Sequence, residues 1–199
     1  MWKSLVLLAS LVGAPLAAQA RVDIHGMNRT WTDLGQPVGN TLYLDLEAAG
    51  VSILPSEDGH VRTRFVGTKD IDLSRLRVRF DPAGNPAELR VSHTPHNNFE
   101  FEIQVPRSID LTLRMSAGEV KIQGVEGNKD LRLHAGEVRV QVGDARAYGP
   151  VSASVWAGEI KPGPFGEGKE GLFRSFHREG PGRYSLQVSL KAGEITFQN

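Results

Sequence analysis

Leu111-Thr-Leu-Arg-Met-Ser-Ala-Gly-Glu-Val-Lys-Ile122 decides the fold of this chain. Apolar residues alternate through Leu111, Leu113 and Met115 to Ala117, so the segment is a strand with one buried face. The next apolar residue, Val120, comes three positions after the alanine, and alternation resumes at Ile122. A three-residue step in a two-residue period requires a bulge or a corner, and Gly118 stands there, where a residue without a Cβ can take positive φ or allow close backbone approach. The unit is strand, corner, strand.

The same unit recurs in Leu131-Arg-Leu-His-Ala-Gly-Glu-Val-Arg-Val140, in Val151-Ser-Ala-Ser-Val-Trp-Ala-Gly-Glu-Ile-Lys161 and in Leu186-Gln-Val-Ser-Leu-Lys-Ala-Gly-Glu-Ile-Thr-Phe197. The alanines fall at 117, 135, 157 and 192, and the reading places them inward, with Gly118, Gly136, Gly158 and Gly193 at the corner. Leu42 to Ile53 is an earlier variant without the glutamate, with Ala48 inward and Ala49-Gly50 in the corner. Further alternating runs at 61–66, 76–80, 88–92 and 99–105 are separated by turn-forming clusters. No amphipathic helix of three turns is found. These observations predict an all-β fold, a short β-solenoid-like stack of strand-corner-strand repeats in which each unit buries its apolar face on the next. An antiparallel sandwich with bulged hairpins fits the same alternation. The stretch 162–183, rich in glycine, breaks the rhythm and reads as a loop folded over an open end of the stack.

Composition agrees. Glycine supplies 22 of 199 residues, about 11% against the usual ~7%. Cysteine is absent, which excludes disulfides, thiolate metal sites and cysteine nucleophiles. Lysine plus arginine and aspartate plus glutamate both number 23, and aromatics are 7%, so the charge excess and stacking platforms of a nucleic-acid binder are missing. Residues 1–20 read as a signal peptide, with Lys3, an apolar stretch Leu5 to Leu16, and Ala18-Gln19-Ala20 as cleavage site. The apolar stretch is shorter than the ~20 residues of a membrane span. Residues 21–199 then form a single all-β repeat domain with no transmembrane anchor, exported to the periplasm or secreted.

The Val105-Pro106-Arg107 step, the Ala-Gly-Glu units, and the closing Gly180-Pro-Gly-Arg-Tyr-Ser-Leu segment resemble the bacterial putative-adhesin domain of unknown function. This is the toast-rack group, related to the head domain of putative auto-transporter adhesins. The likeness covers about residues 40 to 199. It implies a β-solenoid-like fold of exported or envelope-associated proteins, no enzymatic activity, and no established site to transfer.

Glu119, Glu137, Glu159 and Glu194 are the first candidates for a ligand or partner surface. On neighbouring strands ~4.8 Å apart they form a ladder of like charge. Each neighbouring pair repels by ~0.9 kcal/mol in water. Lys121, Arg139 and Lys161 lie two residues on, on the same face, and can interleave as a solvated network; a divalent cation is the alternative occupant. Trp156, at an outward position, offers an aromatic platform unless the 162–183 segment covers it. His93 and His96 sit in a turn without a third ligand, and His134 is a surface position. No Gly-x-Ser-x-Gly turn or phosphate-binding glycine motif is present. The expectation is an exported, non-catalytic module, without cofactor or metal, that binds or scaffolds at the cell envelope through a glycan or an envelope protein. A carbohydrate-active enzyme on a β-helical frame, or an envelope-stress regulatory partner, is the alternative.

Overall fold

The computed structural model describes residues 20–67, 71–95, 99–167 and 169–199. The signal-peptide reading of residues 1–19, and His96, lie outside the described residues. Twelve strands make one mixed sheet: β1 (Val22–His25), β2 (Thr32–Gly35), β3 (Thr41–Ser56), β4 (Val61–Phe65), β5 (Arg77–Asp81), β6 (Ala87–Ser92), β7 (Glu100–Pro106), β8 (Asp110–Ile122), β9 (Lys129–Gln141), β10 (Tyr148–Lys161), β11 (Lys169–Arg178) and β12 (Tyr184–Gln198). Helix among the described residues is limited to two single 3₁₀ turns, and no helix is long and apolar enough to cross a membrane.

Five long strands lie parallel and in register in the order β3, β8, β9, β12, β10. Simple chain geometry forces each to bend. Leu111 to Ile122 is eleven residue steps, about 36 Å if straight. Lys129, which pairs beside Leu111, is reached from Ile122 in only seven steps, at most about 25 Å of chain. The strand must therefore fold back part of the way, and it does so at the glycine: φ is +126° at Gly118, +123° at Gly136, +143° at Gly158 and +132° at Gly193.

The bend divides each strand into two arms that share one core. The first arms contribute the rows Leu44, Leu113, Leu131, Val188, Ala153 and Leu46, Met115, Leu133, Leu190, Val155. The second arms contribute Val51, Val120, Val138, Ile195, Ile160. At β3 the two arms acquire separate neighbours: Leu42 to Leu46 pairs with β6, whereas Gly50 to Ser56 pairs with β7. Strands β6 and β7 are thus one more bent unit, its corner opened into the loop after Ser92. Strands β4 and β5 repeat it in reverse, antiparallel to β7 and β6, and β1 and β2 close that end on β5 and β4.

Four details differ from the sequence reading. Spatial order is not chain order, since β12 lies between β9 and β10. The alanines are not core residues: Ala48, Ala135 and Ala192 are exposed and Ala117 and Ala157 half-buried, because the bend begins directly after Met115 and its counterparts, one position before the alanine. In β3 the register places Ala49, not Gly50, opposite the corner glycine Gly118, and Gly50 opposite Glu119. The 162–183 segment is not a loop throughout, for 169–178 form β11, which runs antiparallel along β10 and caps that edge. Phe165 is buried beside it, edge-on to Phe197 and Tyr148.

Candidate functional site

The corner glycines pack against one another without a gap. A Cβ at Gly118 would sit 1.9 Å from the Ala49 carbonyl oxygen, at Gly136 1.8 Å from that of Gly118, at Gly193 1.8 Å from that of Gly136, and at Gly158 1.8 Å from that of Gly193. Side chains are impossible here, so the residues on either side of the glycine form two outward rows. One row is Gly50, Glu119, Glu137, Glu194, Glu159. The other, before the alanines, is Glu47, Ser116, His134, Lys191 and Trp156.

All four predicted glutamates are therefore brought together, in the spatial order 119, 137, 194, 159. Their charges are compensated by cations one step along the second arm. Arg139 Nη1 reaches Glu119 at 2.6 Å while its Nε contacts Glu137 Oε1 off the hydrogen-bonding axis, an ion pair without a formed hydrogen bond. Lys121 Nζ lies 3.0 Å from Glu119. Lys161 Nζ spans Glu194 at 3.0 Å and Glu159 at 3.1 Å. The cation row has one gap, at Thr196, whose hydroxyl donates to Glu194 at 2.8 Å. That hydroxyl, and then Lys161, hold the Glu194 carboxyl below the ordinary glutamate range; the two carboxylates in turn hold the Lys161 ammonium above the ordinary lysine range. Among the described residues no group of three or more His, Asp or Glu is disposed to hold a metal ion. With each carboxylate already facing Lys, Arg or Thr, the ladder is a surface lattice in which three cations offset most of the charge of four carboxylates.

Trp156 ends the second row and is 58% exposed. The 162–183 segment does not bury it. It instead sets Phe173 against it, ring centroids 5.9 Å apart, and Phe173 and Leu172 are themselves 75% and 64% exposed. Phe173 has φ +52°, the left-handed region that large side chains avoid. The edge strand thus adopts an unfavourable backbone where it presents an aromatic ring to solvent. Leu172 and Phe173 were missed as site residues, although Phe and Leu inside a glycine-rich stretch were the available signal. His93 and His134 are exposed, each on the lining of a surface cavity, His93 with Arg77, Arg79 and Arg90 and His134 with Arg114 and Arg132.

No protein-family model and no curated protein matches the chain. Among solved structures, a putative cell adhesion protein from Clostridium sporogenes has a similar fold, with a TM-score of 0.53 at 13% identity over 90% of this chain and 99% of that one. At that identity the likeness is one of fold.

Proposed function

We propose that the chain is an exported, non-catalytic module of solenoid-like, toast-rack type that binds or scaffolds at the bacterial cell envelope, through an envelope glycan or an envelope protein. The observation that carries this reading is the exposed Trp156, Phe173 and Leu172 cluster at the β10 edge of the two corner rows. Single exposed apolar residues are ordinary, but a contiguous aromatic patch held by a strained backbone marks a contact surface. The fold likeness to a cell adhesion protein supports the same reading. The ion-paired carboxylates argue for a surface and against an acid/base pair, because an acid and a base require environments that separate their pKa values.

The test is a pull-down of the purified protein with isolated envelope and cell-wall fractions, comparing wild type with a Trp156→Ala/Phe173→Ala double variant. Wild type should be retained. The variant should be retained at least about fivefold less, as expected for loss of one aromatic anchor worth about 1 kcal/mol or more, and should melt near the wild-type temperature. Equal retention of both, or release of soluble sugar from the fractions by wild type, would sink the proposal.

A further inference from the structure

We infer that the chain carries a second binding site, for a pyranose ring or disaccharide, in the cavity between Tyr148 and Tyr184 on the return side of the stack. The site stands on different residues from the aromatic patch. Tyr148 and Trp156 are eight residues apart along β10, about 26 Å of extended strand.

The cavity has a volume of about 460 Å³, within the range that encloses small ligands. Its walls come from the return connection before β9 (Val125, Glu126), the one before β10 (Val142, Ala147, Tyr148) and the one before β12 (Arg183, Tyr184). The local sequence explains how these meet. In Gly180-Pro-Gly182 the chain passes so close to Ala147, Tyr148 and Gly149 that a Cβ at Gly182 would lie 2.4 Å from the Ala147 carbonyl carbon, and one at Gly149 would lie 2.5 Å from the Gly182 oxygen. This backbone contact delivers Arg183 and Tyr184 to the side of Tyr148, with the two rings 5.9 Å apart.

Behind the Tyr148 wall of the cavity, the core holds a charged group that an apolar core would not include. Lys129 occupies the core row otherwise filled by Leu42, Leu111, Leu186 and Val151, and is 1% exposed. Its ammonium donates to the Gly127 carbonyl at 3.0 Å and to the Tyr148 hydroxyl at 2.9 Å. Having accepted from lysine, the buried Tyr148 hydroxyl has its own proton to donate, and the ammonium has a third N–H. Glu126, which lines the cavity, acts electrostatically on both groups. By its hydrogen bond the lysine fixes the Tyr148 ring as one wall of the cavity, and the Glu126 carboxylate on the same lining offers an acceptor to a guest hydroxyl.

The rim fixes the class of guest. Arg107 is held by Glu57 and Asp144 by Arg146, whereas Arg183 lies 4.4 Å over the Tyr184 ring and only 3.8 Å from Glu126, the loosest ion pair of the set. Arg183 also donates to the Tyr184 hydroxyl, so with Glu126 it places a donor and an acceptor on the rim beside that ring. The half-buried Tyr184 ring and a rim of two arginines and two carboxylates match a neutral polyol ring, which offers an apolar face and hydroxyls that donate and accept. A simple anion would meet Glu126 and Asp144.

The experiment is titration of the purified protein with chitobiose and with cellobiose, followed by tyrosine and tryptophan NMR signals, with sodium acetate and sodium phosphate as anion arms. At least one disaccharide should bind saturably and shift Tyr148 and Tyr184 but not Trp156. Tyr148→Phe and Arg183→Ala should each weaken it about fivefold or more, the loss of one hydrogen-bonding group. Arg183 is exposed, so its variant decides the matter if Tyr148→Phe does not fold. The inference falls if neither sugar saturates at millimolar concentration, if only the anions bind, if the shifts appear at Trp156, or if Arg183→Ala binds as wild type does. Sugar binding here together with no retention on envelope fractions would leave this site standing and remove the envelope reading.

Discussion

Replacing Gly136 with alanine tests the corner directly. Gly136 lies in the middle of the five-strand stack, with φ +123°, and its added Cβ would fall 1.8 Å from the Gly118 oxygen and 2.9 Å from the Gly118 nitrogen. Carbon and oxygen need more than about 3 Å, so β8 and β9 would have to part by about 1.2 Å at the corner. A backbone bond of about 2.9 Å stretched by that amount exceeds the limit of a hydrogen bond. Losing two such bonds costs about 2 kcal/mol, and a non-glycine residue in this backbone region about 1 to 3 more. The expected loss is about 3 to 5 kcal/mol, a large part of the 5 to 15 typical of a domain, and a fall in Tm of roughly 6 to 20 °C. Thermal and urea unfolding measure it, with two internal controls. Gly143→Ala, at φ +66° with open space around it, should cost about 1 kcal/mol. Gly50→Ala, at ordinary φ and 3.1 Å from the movable Glu100 side chain, should cost little. If Gly136→Ala melts no lower than Gly143→Ala, the carbonyl-to-glycine packing does not hold the corner together.

The buried Lys129 and Tyr148 pair gives a pH signature. Burial lowers the lysine from 10.5 to about 8, so between these values the unfolded chain keeps a proton that the folded chain has lost, and stability should rise with pH by at most about 3 kcal/mol. Burial raises the tyrosine from 10.0 to about 12, so across that interval the unfolded chain is deprotonated first and stability falls. The two together place a stability maximum near pH 10; urea unfolding across pH 7 to 12 should show it, Lys129→Met should remove the rising limb and Tyr148→Phe the falling one, and a flat wild-type profile would refute the assignment. In the glutamate row, Thr196→Lys fills the missing cation beside Glu194 and should raise Tm by no more than about 4 °C in low salt, an effect lost at 1 M salt where the screening length is about 3 Å. Because the Glu194 carboxyl is held low, its contribution is present above the ordinary glutamate pKa and lost as pH falls through its depressed value, so a Glu194→Gln variant should show a flatter acid limb.

The arms and the corner were legible because their signals are local. Alternation from Leu111 to Met115 and the three-residue step to Val120 report a buried face and its interruption whatever lies alongside. The in-register alignment of the four Ala-Gly-Glu triplets was legible too, since equal spacing from alanine to the next inward residue lets every copy pair with every other. That same equivalence hid the order of the strands. Residues 131–140 and 186–197 present interchangeable edges to 151–161, and nothing in their patterns selects β12 as the neighbour of β10. Alternation also overcounts alanine, which is apolar enough to extend a pattern and small enough to stand exposed, as Ala135 and Ala192 do. Gly50 misled for a related reason: the corner needs a glycine only where a neighbouring carbonyl faces the missing Cβ, and at the end of that ladder Ala49 is tolerated. Of the candidate site, the glutamates and Trp156 were visible as repeat positions. Phe173, which completes the aromatic patch, was not, because its place depends on β11 pairing with β10.

The same packing that aligns the glutamates limits what they can bind. Each corner glycine is fixed by the carbonyl of the next, so the row cannot widen to admit a guest between strands. Arg139 and Lys161 each already serve two carboxylates, and Lys121 serves one. A cation entering the row would have to displace a tethered ammonium or guanidinium, and an anion would have to approach a line of carboxylates. Space for a guest is therefore left only where the repeat ends or is interrupted. At the β10 edge the two rows stop at Glu159 and Trp156, with Phe173 of β11 set against the tryptophan. On the return side the regular leucine row gives way to Lys129, with Tyr148 and Tyr184 beside it, and the connections between strands part to leave a cavity. The repeat supplies the rigid spacing, and its irregular residues supply the chemistry that a ligand could read.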